Sequence, residues 1–215
     1  MLPQSLGPVE VRVVGSLIEK ELSTPDHYPL SLNALISACN QSSNRDPVMT
    51  LDGGAVSAAI DVLRRLSLVR SFQASGERVA KYQHLLAESD GLSRAELAVL
   101  CVLMLRGPQT LGEVRSRAAR LMPGENPEGV EAALEALIAL DPAAAATRLA
   151  RRPGQKEARY AHLLGGEVQE TRDAAPQTPA ASTDRIAALE ELVQQLGGEM
   201  SELRAQFAAF RKQFE

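Results

Sequence analysis

Two stretches of the chain nearly repeat each other: GERVAKYQHLL at residues 76 to 86 and GQKEARYAHLL at residues 154 to 164, with six identities in eleven positions at an offset of 78. Self-similarity at one fixed spacing constrains the fold more than any local signal, because each copy must close the same structural unit. Upstream, PLSLNALISACNQ from Pro29 aligns with PQTLGEVRSRAAR from Pro108, and VSAAIDVLRRL from Val56 aligns with VEAALEALIAL from Val130. The order is kept in both copies. Each therefore reads helix, turn, helix, loop, helix and two short strands, the element order of a winged helix-turn-helix.

The expected fold class is mainly α with small β-hairpins (α+β): two tandem winged helix-turn-helix domains followed by a C-terminal coiled-coil helix. Residues 1–88 make the first domain, 89–166 the second, 167–182 a flexible linker and 183–215 the coiled-coil helix. A copy of this size is long enough to bury a core of its own.

In the first copy, Val13, Val14, Leu17 and Ile18 recur at helical spacing between Val9 and Glu21. Ser31 is placed to cap the second helix, which turns Leu32, Leu35, Ile36 and Cys39 inward, and Asp52 to cap the third, with Val56, Ala59, Ile60, Leu63 and Leu66 as its buried stripe. Strands from Leu68 to Gln73 and from Arg78 to Leu86 then form a hairpin through a Ser75–Gly76 turn, where glycine permits positive φ. Period-two alternation puts Ala80, Tyr82, His84 and Leu86 on one side of the second strand, repeated as Ala158, Tyr160, His162 and Leu164. Repetition within one chain favours a structural role for His84 and His162. With His27 as the only other histidine, no usual zinc set is complete, and neither metal nor cofactor is expected.

The first helix of the second copy, Ser93 to Arg106, is apolar without a break from Leu97 to Leu105 and must be covered on more than one side. Burial between the two copies is the expected reason, ahead of a dimer interface. Cys39 and Cys101 have no CxxC spacing and read as reduced core thiols. No basic leader followed by an apolar run opens the chain and no window has the length of a spanning helix, so a cytoplasmic protein without a membrane partner is expected.

Charge narrows the partners. Lys+Arg against Asp+Glu number 8 to 9 over residues 1–88, 10 to 9 over 89–166 and 5 to 9 over 167–215, so the net −4 lies in the tail and both copies are near neutral. A neutral domain binds DNA only through a local patch. Candidate contacts in the first copy are Asn40, Gln41, Asn44 and Arg45 of the polar loop, Arg64 and Arg65 of the third helix, and Arg78 and Lys81 of the hairpin. In the second copy they are Arg115, Arg117 and Arg120 of the second helix and Arg151, Arg152 and Lys156 of the hairpin, with Arg148 and Arg159 beside them. The second copy's third helix offers Glu128, Glu131 and Glu135 instead, which repel phosphates and suit a basic protein.

Past the linker, Ile186, Leu189, Val193, Leu196, Met200, Leu203, Phe207, Phe210 and Phe214 alternate steps of three and four, a heptad seam. Arg185 with Glu190 and Glu199 with Arg204 flank it attractively for a parallel partner, so a homo-oligomer through this helix is expected. Gly197 and Gly198 interrupt the segment, each costing on the order of 1 kcal/mol within a helix.

The run TPDHYPLSLNALISACNQSSNRDPVM at Thr24 to Met49, LRGPQTLGEVRSRAARL at Leu105 to Leu121 and the two YxHLL strand ends together resemble the YceH family of bacterial proteins over residues 9–166. That resemblance implies a tandem winged-helix fold in the cytosol and no particular biochemical activity. The motif residues Asn40, Gln41, Asn44, Arg45, Asp46 and Pro47 stand intact, and the resemblance gives them no catalytic role. No glycine-rich phosphate loop, HExxH or GxSxG is present and no enzyme is expected. The functional expectation is a DNA-binding winged-helix protein, possibly a transcriptional regulator; the alternative is a protein-docking module oligomerised by its coiled coil.

Overall fold

A computed structural model describes residues 2–3, 5–73, 79–122, 129–151 and 155–166. Among these the chain forms α1 (Pro8–Ser23), β1 (Leu30–Ser31), α2 (Leu32–Cys39), α3 (Gly53–Arg65), β2 (Val69–Phe72), β3 (Lys81–His84) and α4 (Leu86–Asp90). The same succession then returns as α5 (Arg94–Arg106), β4 (Gln109–Thr110), α6 (Leu111–Leu121), α7 (Gly129–Ala139), β5 (Ala146–Arg148) and β6 (Arg159–His162). The described residues thus make a mainly helical α+β fold of seven α-helices and two small antiparallel sheets. The Ser75–Gly76 turn, Arg78, Glu128, Arg152, the linker and the whole heptad segment from Ile186 to Phe214 lie outside the described residues.

Local chemistry sets the helix starts. Ser31 Oγ accepts the Ala34 N–H at 3.3 Å and Asp52 Oδ1 accepts the Ala55 N–H at 2.7 Å, each satisfying an amide that has no partner inside its helix. In the second half Ser93 with Glu96, and Thr110 with Glu113, close reciprocal capping boxes. Gly107 stops α5 at a φ of 67°, a conformation that glycine adopts without a Cβ penalty.

The duplication is exact in topology. The sheets run β1-β3-β2 and β4-β6-β5, so in each a two-residue strand ahead of the second helix joins the hairpin. Tyr82 lies opposite Leu30 as Tyr160 lies opposite Gln109, and His84 opposite Val69 as His162 lies opposite Ala146. The sequence reading contained the hairpins but not these third strands, which are too short to leave a period. It also carried β3 one pleat too far: Leu86 opens α4.

A single apolar core runs through both halves. Its centre is α1 against α5, the first helix of each copy, and α5 is buried from Leu97 to Leu105 as its apolar sequence demands. The expectation that this helix lies between the copies is met. The N-terminal segment adds to the same core, with Leu2 and Leu6 buried and the Leu6 N–H donated to the Leu164 carbonyl at 2.9 Å. Cys39 and Cys101 are free, buried thiols, and burial raises the pKa of both.

The two equivalent histidines sit differently. His84 Nδ1 accepts the Leu86 N–H at 3.3 Å while Nε2 pairs with Glu21 Oε2, and this bond holds the Glu21 carboxyl below its usual range against the opposing pull of burial. Nδ1 of His162 is buried with no partner among the described residues, and burial lowers its pKa to about 4. Both are structural side chains, one satisfied by a carboxylate and one kept neutral by desolvation.

Candidate nucleic-acid interface

The polar loop between α2 and α3 faces inward. α2 ends at Cys39, and its last carbonyls need donors from outside the helix. Two arginines provide them. Arg12 of α1 donates through Nη1 to the Cys39 carbonyl at 3.0 Å and through Nη2 to the Pro47 carbonyl at 2.5 Å. Arg45 donates through Nε and Nη2 to the Ala38 carbonyl at 3.2 and 2.8 Å.

The Arg45 side chain is fully buried, and its charge is met by Glu19 in a two-pronged bond, Nη1 to Oε1 at 3.0 Å and Nη2 to Oε2 at 2.6 Å. Planar guanidinium and carboxylate match in this geometry, which is what makes a buried charge tolerable. Gln41 Oε1 accepts a further Arg45 proton at 3.2 Å, and the Asn44 carbonyl another at 3.0 Å, with Asn44 itself at a φ of 58°. Asn40 clasps Leu51 by both amide groups, each at 2.8 Å, and the Asp46 N–H reaches the Leu105 carbonyl of α5 at 2.9 Å. Burial, with Arg45 close by, lowers the Arg12 pKa.

Of the four loop residues expected to meet DNA, Arg45 is therefore interior and the Asn40 and Gln41 side chains are engaged within the loop; the Asn44 residue is exposed. The physical reason is local: the open end of α2 takes up the donors. Arg12 and Glu19 were missed as members of this cluster. They had left a signal, two charges seven residues apart on one face of a helix that is otherwise buried.

The exposed cations of the first half gather elsewhere. Arg64 and Arg65, at the end of α3, and Arg70 and Ser71, on β2, border one open surface hollow together with Asp61 and Val69. Arg64 contacts Asp61 at 3.7 Å, and Arg70 forms a two-pronged pair with Glu88 at 3.1 and 3.2 Å. Lys81 is partly exposed on β3, opposite Phe72. Phe72 and Val79, either side of the hairpin end, leave half or more of their surface in solvent, as does Val48 in the loop. Arg70 was not singled out from the sequence; its place in the alternation of β2 was the available sign.

In the second half the corresponding helix is acidic. Glu131 and Glu135 are exposed on α7, and Glu131 draws Arg115 of α6 into a pair at 3.1 Å. Arg117 is half buried beside Glu113 at 3.5 Å, while Arg120 is exposed. Arg148, Arg151 and Lys156 are exposed around the β5–β6 hairpin, and Arg159 Nη1 donates to the Pro108 carbonyl at 3.1 Å. The structure thus groups Arg64, Arg65 and Arg70 on one surface and divides the remaining candidates between ion pairs and a second hairpin. Among the described residues no helix is long and apolar enough to cross a membrane.

Comparison with known proteins gives one family. A model described as "Protein of unknown function, DUF480" matches residues 6–155. A UPF0502 protein of Pelobacter propionicus is 53% identical over 217 residues, covering 98% of each chain. UPF0502 proteins of Azoarcus sp. strain BH72 and Solibacter usitatus are 50% and 46% identical, covering 98% of this chain and 94% and 98% of their own. The likeness to these relatives runs past residue 155 into the tail.

Proposed function

Because the chain belongs to the DUF480 family, whose description names no activity, we propose its function from its own surfaces: a non-enzymatic tandem winged-helix protein that binds double-stranded DNA through its first half. In this reading α3 is the recognition helix and β2–β3 the wing, an assignment supported by the order helix, strand, helix, helix, hairpin in each half. The observation that carries it is the shared hollow of Arg64, Arg65 and Arg70, where a helix end and a strand present cations to one strip of surface. α7, with Glu131 and Glu135 outward, is the half that does not read a groove. The YceH-like motif residues Asn40 to Pro47 then act by fixing the spacing of α2 and α3. Regulation of transcription is the role such an architecture suits.

The test is a salt titration of the full protein against random duplex DNA. Replacing Arg64 and Arg65 by alanine weakens binding to all sequences alike and flattens the salt slope by about one unit per lost phosphate contact. No binding even at low salt, where charge attraction is least screened, overturns the reading. A docking function is favoured by a different observation, the exposed carboxylates of α7 beside the exposed apolar residues of the first half. Under it, Glu131→Lys with Glu135→Lys abolishes capture of a basic partner protein and the Arg64 and Arg65 changes leave DNA affinity unmoved.

A further inference from the structure

A small cavity, about 60 Å³ of room, opens where α5 and α6 meet α1 and the polar loop. Val102, Leu105 and Leu121 give it apolar walls, and Arg106, Arg117 and Arg120 bring three guanidiniums to it. The acids nearby do not answer all of this charge. Both oxygens of Glu19 are bonded to Arg45, and Glu113 is held by the Thr110 N–H at 2.9 Å as well as by Arg117 Nη2. Arg117 Nη1 is shielded from solvent and bonds nothing among the described residues. A shielded N–H of a charged group without an acceptor calls for an explanation, and a bound anion is one that such sites commonly have.

We propose that this cavity binds a small organic acid, a short-chain monocarboxylate, with its carboxylate on Arg117 and Arg120 and its hydrocarbon body against Val102, Leu105 and Leu121. The chemistry selects this class. A carboxylate matches the guanidinium fork and accepts the orphaned Nη1 proton. Inorganic phosphate meets the same cations, but apolar walls return nothing for the hydration it loses. A metal ion or an amine meets only like charge. Burial followed by the nearness of Arg117 already lowers the Arg106 pKa, in line with a cluster short of anions. Since the cavity joins residues of both halves, its occupant stabilises them in their packed arrangement.

Hexanoate is the probe, titrated into the full-length protein and followed by methyl NMR. Saturable shifts at Val102, Leu105 and Leu121, with direct ligand-to-methyl Overhauser contacts, are expected; hexanol and hexylammonium of the same length produce neither. Arg117→Gln weakens hexanoate by about tenfold or more, the usual worth of a charge-assisted bond. Arg120→Gln, at an exposed position that folding does not depend on, weakens it in the same direction, whereas Arg64→Ala has no effect. Equal binding of hexanol, unchanged affinity in both arginine variants, displacement of hexanoate by equimolar phosphate, or shifts scattered over the surface each overturns the assignment.

Discussion

Gly15 of α1 and Leu105 of α5 approach so closely that a Cβ on Gly15 would lie 2.9 Å from Leu105 Cδ2 and 3.3 Å from Met104 Cβ. The bare backbone at this crossing also accepts the Cys101 thiol proton, with Sγ 3.4 Å from the Gly15 carbonyl oxygen. The contact that joins the two copies is made by a residue with no side chain, so its tightness is a property of the backbone itself.

Gly15→Val is therefore expected to destabilise the protein by about 1–3 kcal/mol, the range for overpacking a closed interior. Denaturant unfolding should show the midpoint falling while the transition stays single, because both halves draw on the same core. A midpoint unchanged from the parent would show that the helices part at no cost.

Glu19→Ala strands the buried Arg45 charge and is expected to cost about 3–5 kcal/mol. Replacing Glu19 and Arg45 together by apolar residues should recover part of this, since no lone charge then remains inside. Equilibrium unfolding of the two single variants and the double variant measures the coupling.

His162 gives a pH dependence. Burial lowers its folded pKa to about 4, against about 6.5 for the unfolded chain, so below the latter the unfolded chain binds a proton that the folded protein refuses. Stability is thus lost between about pH 6.5 and 4, by on the order of 2–3 kcal/mol. His162→Gln, which does not titrate, should flatten this part of the profile of urea midpoint against pH. Glu21 contributes oppositely: its lowered pKa gives stability present above its unfolded value and lost as acid protonates it.

Deleting everything after Gly166 is expected to lower the order of association, because the heptad seam from Ile186 to Phe214 is the segment patterned for self-pairing. Light scattering on the full and shortened chains checks it; identical masses would remove the coiled-coil reading.

Much of the architecture could be read from residues alone where the cause was local or periodic. Ser31 and Asp52 announced their helix starts, the repeated Tyr and His marked equivalent strand positions, and the unbroken apolar run from Leu97 to Leu105 implied a helix covered on several sides. What escaped was set by distant partners. Arg45 stands in a loop as polar as any exposed one, and only the arrival of Glu19, from 26 residues away, takes it inside. The hollow of Arg64, Arg65 and Arg70 was half legible, because joining a helix end to a strand needs the turn between them.

The pairing of α1 with α5 has a consequence for how the molecule depends on its own abundance. Two equivalent helices of duplicated units face each other within one chain, so each half is permanently tethered to its counterpart at a high effective concentration. Dilution, which separates ordinary twofold assemblies, has no purchase on this one.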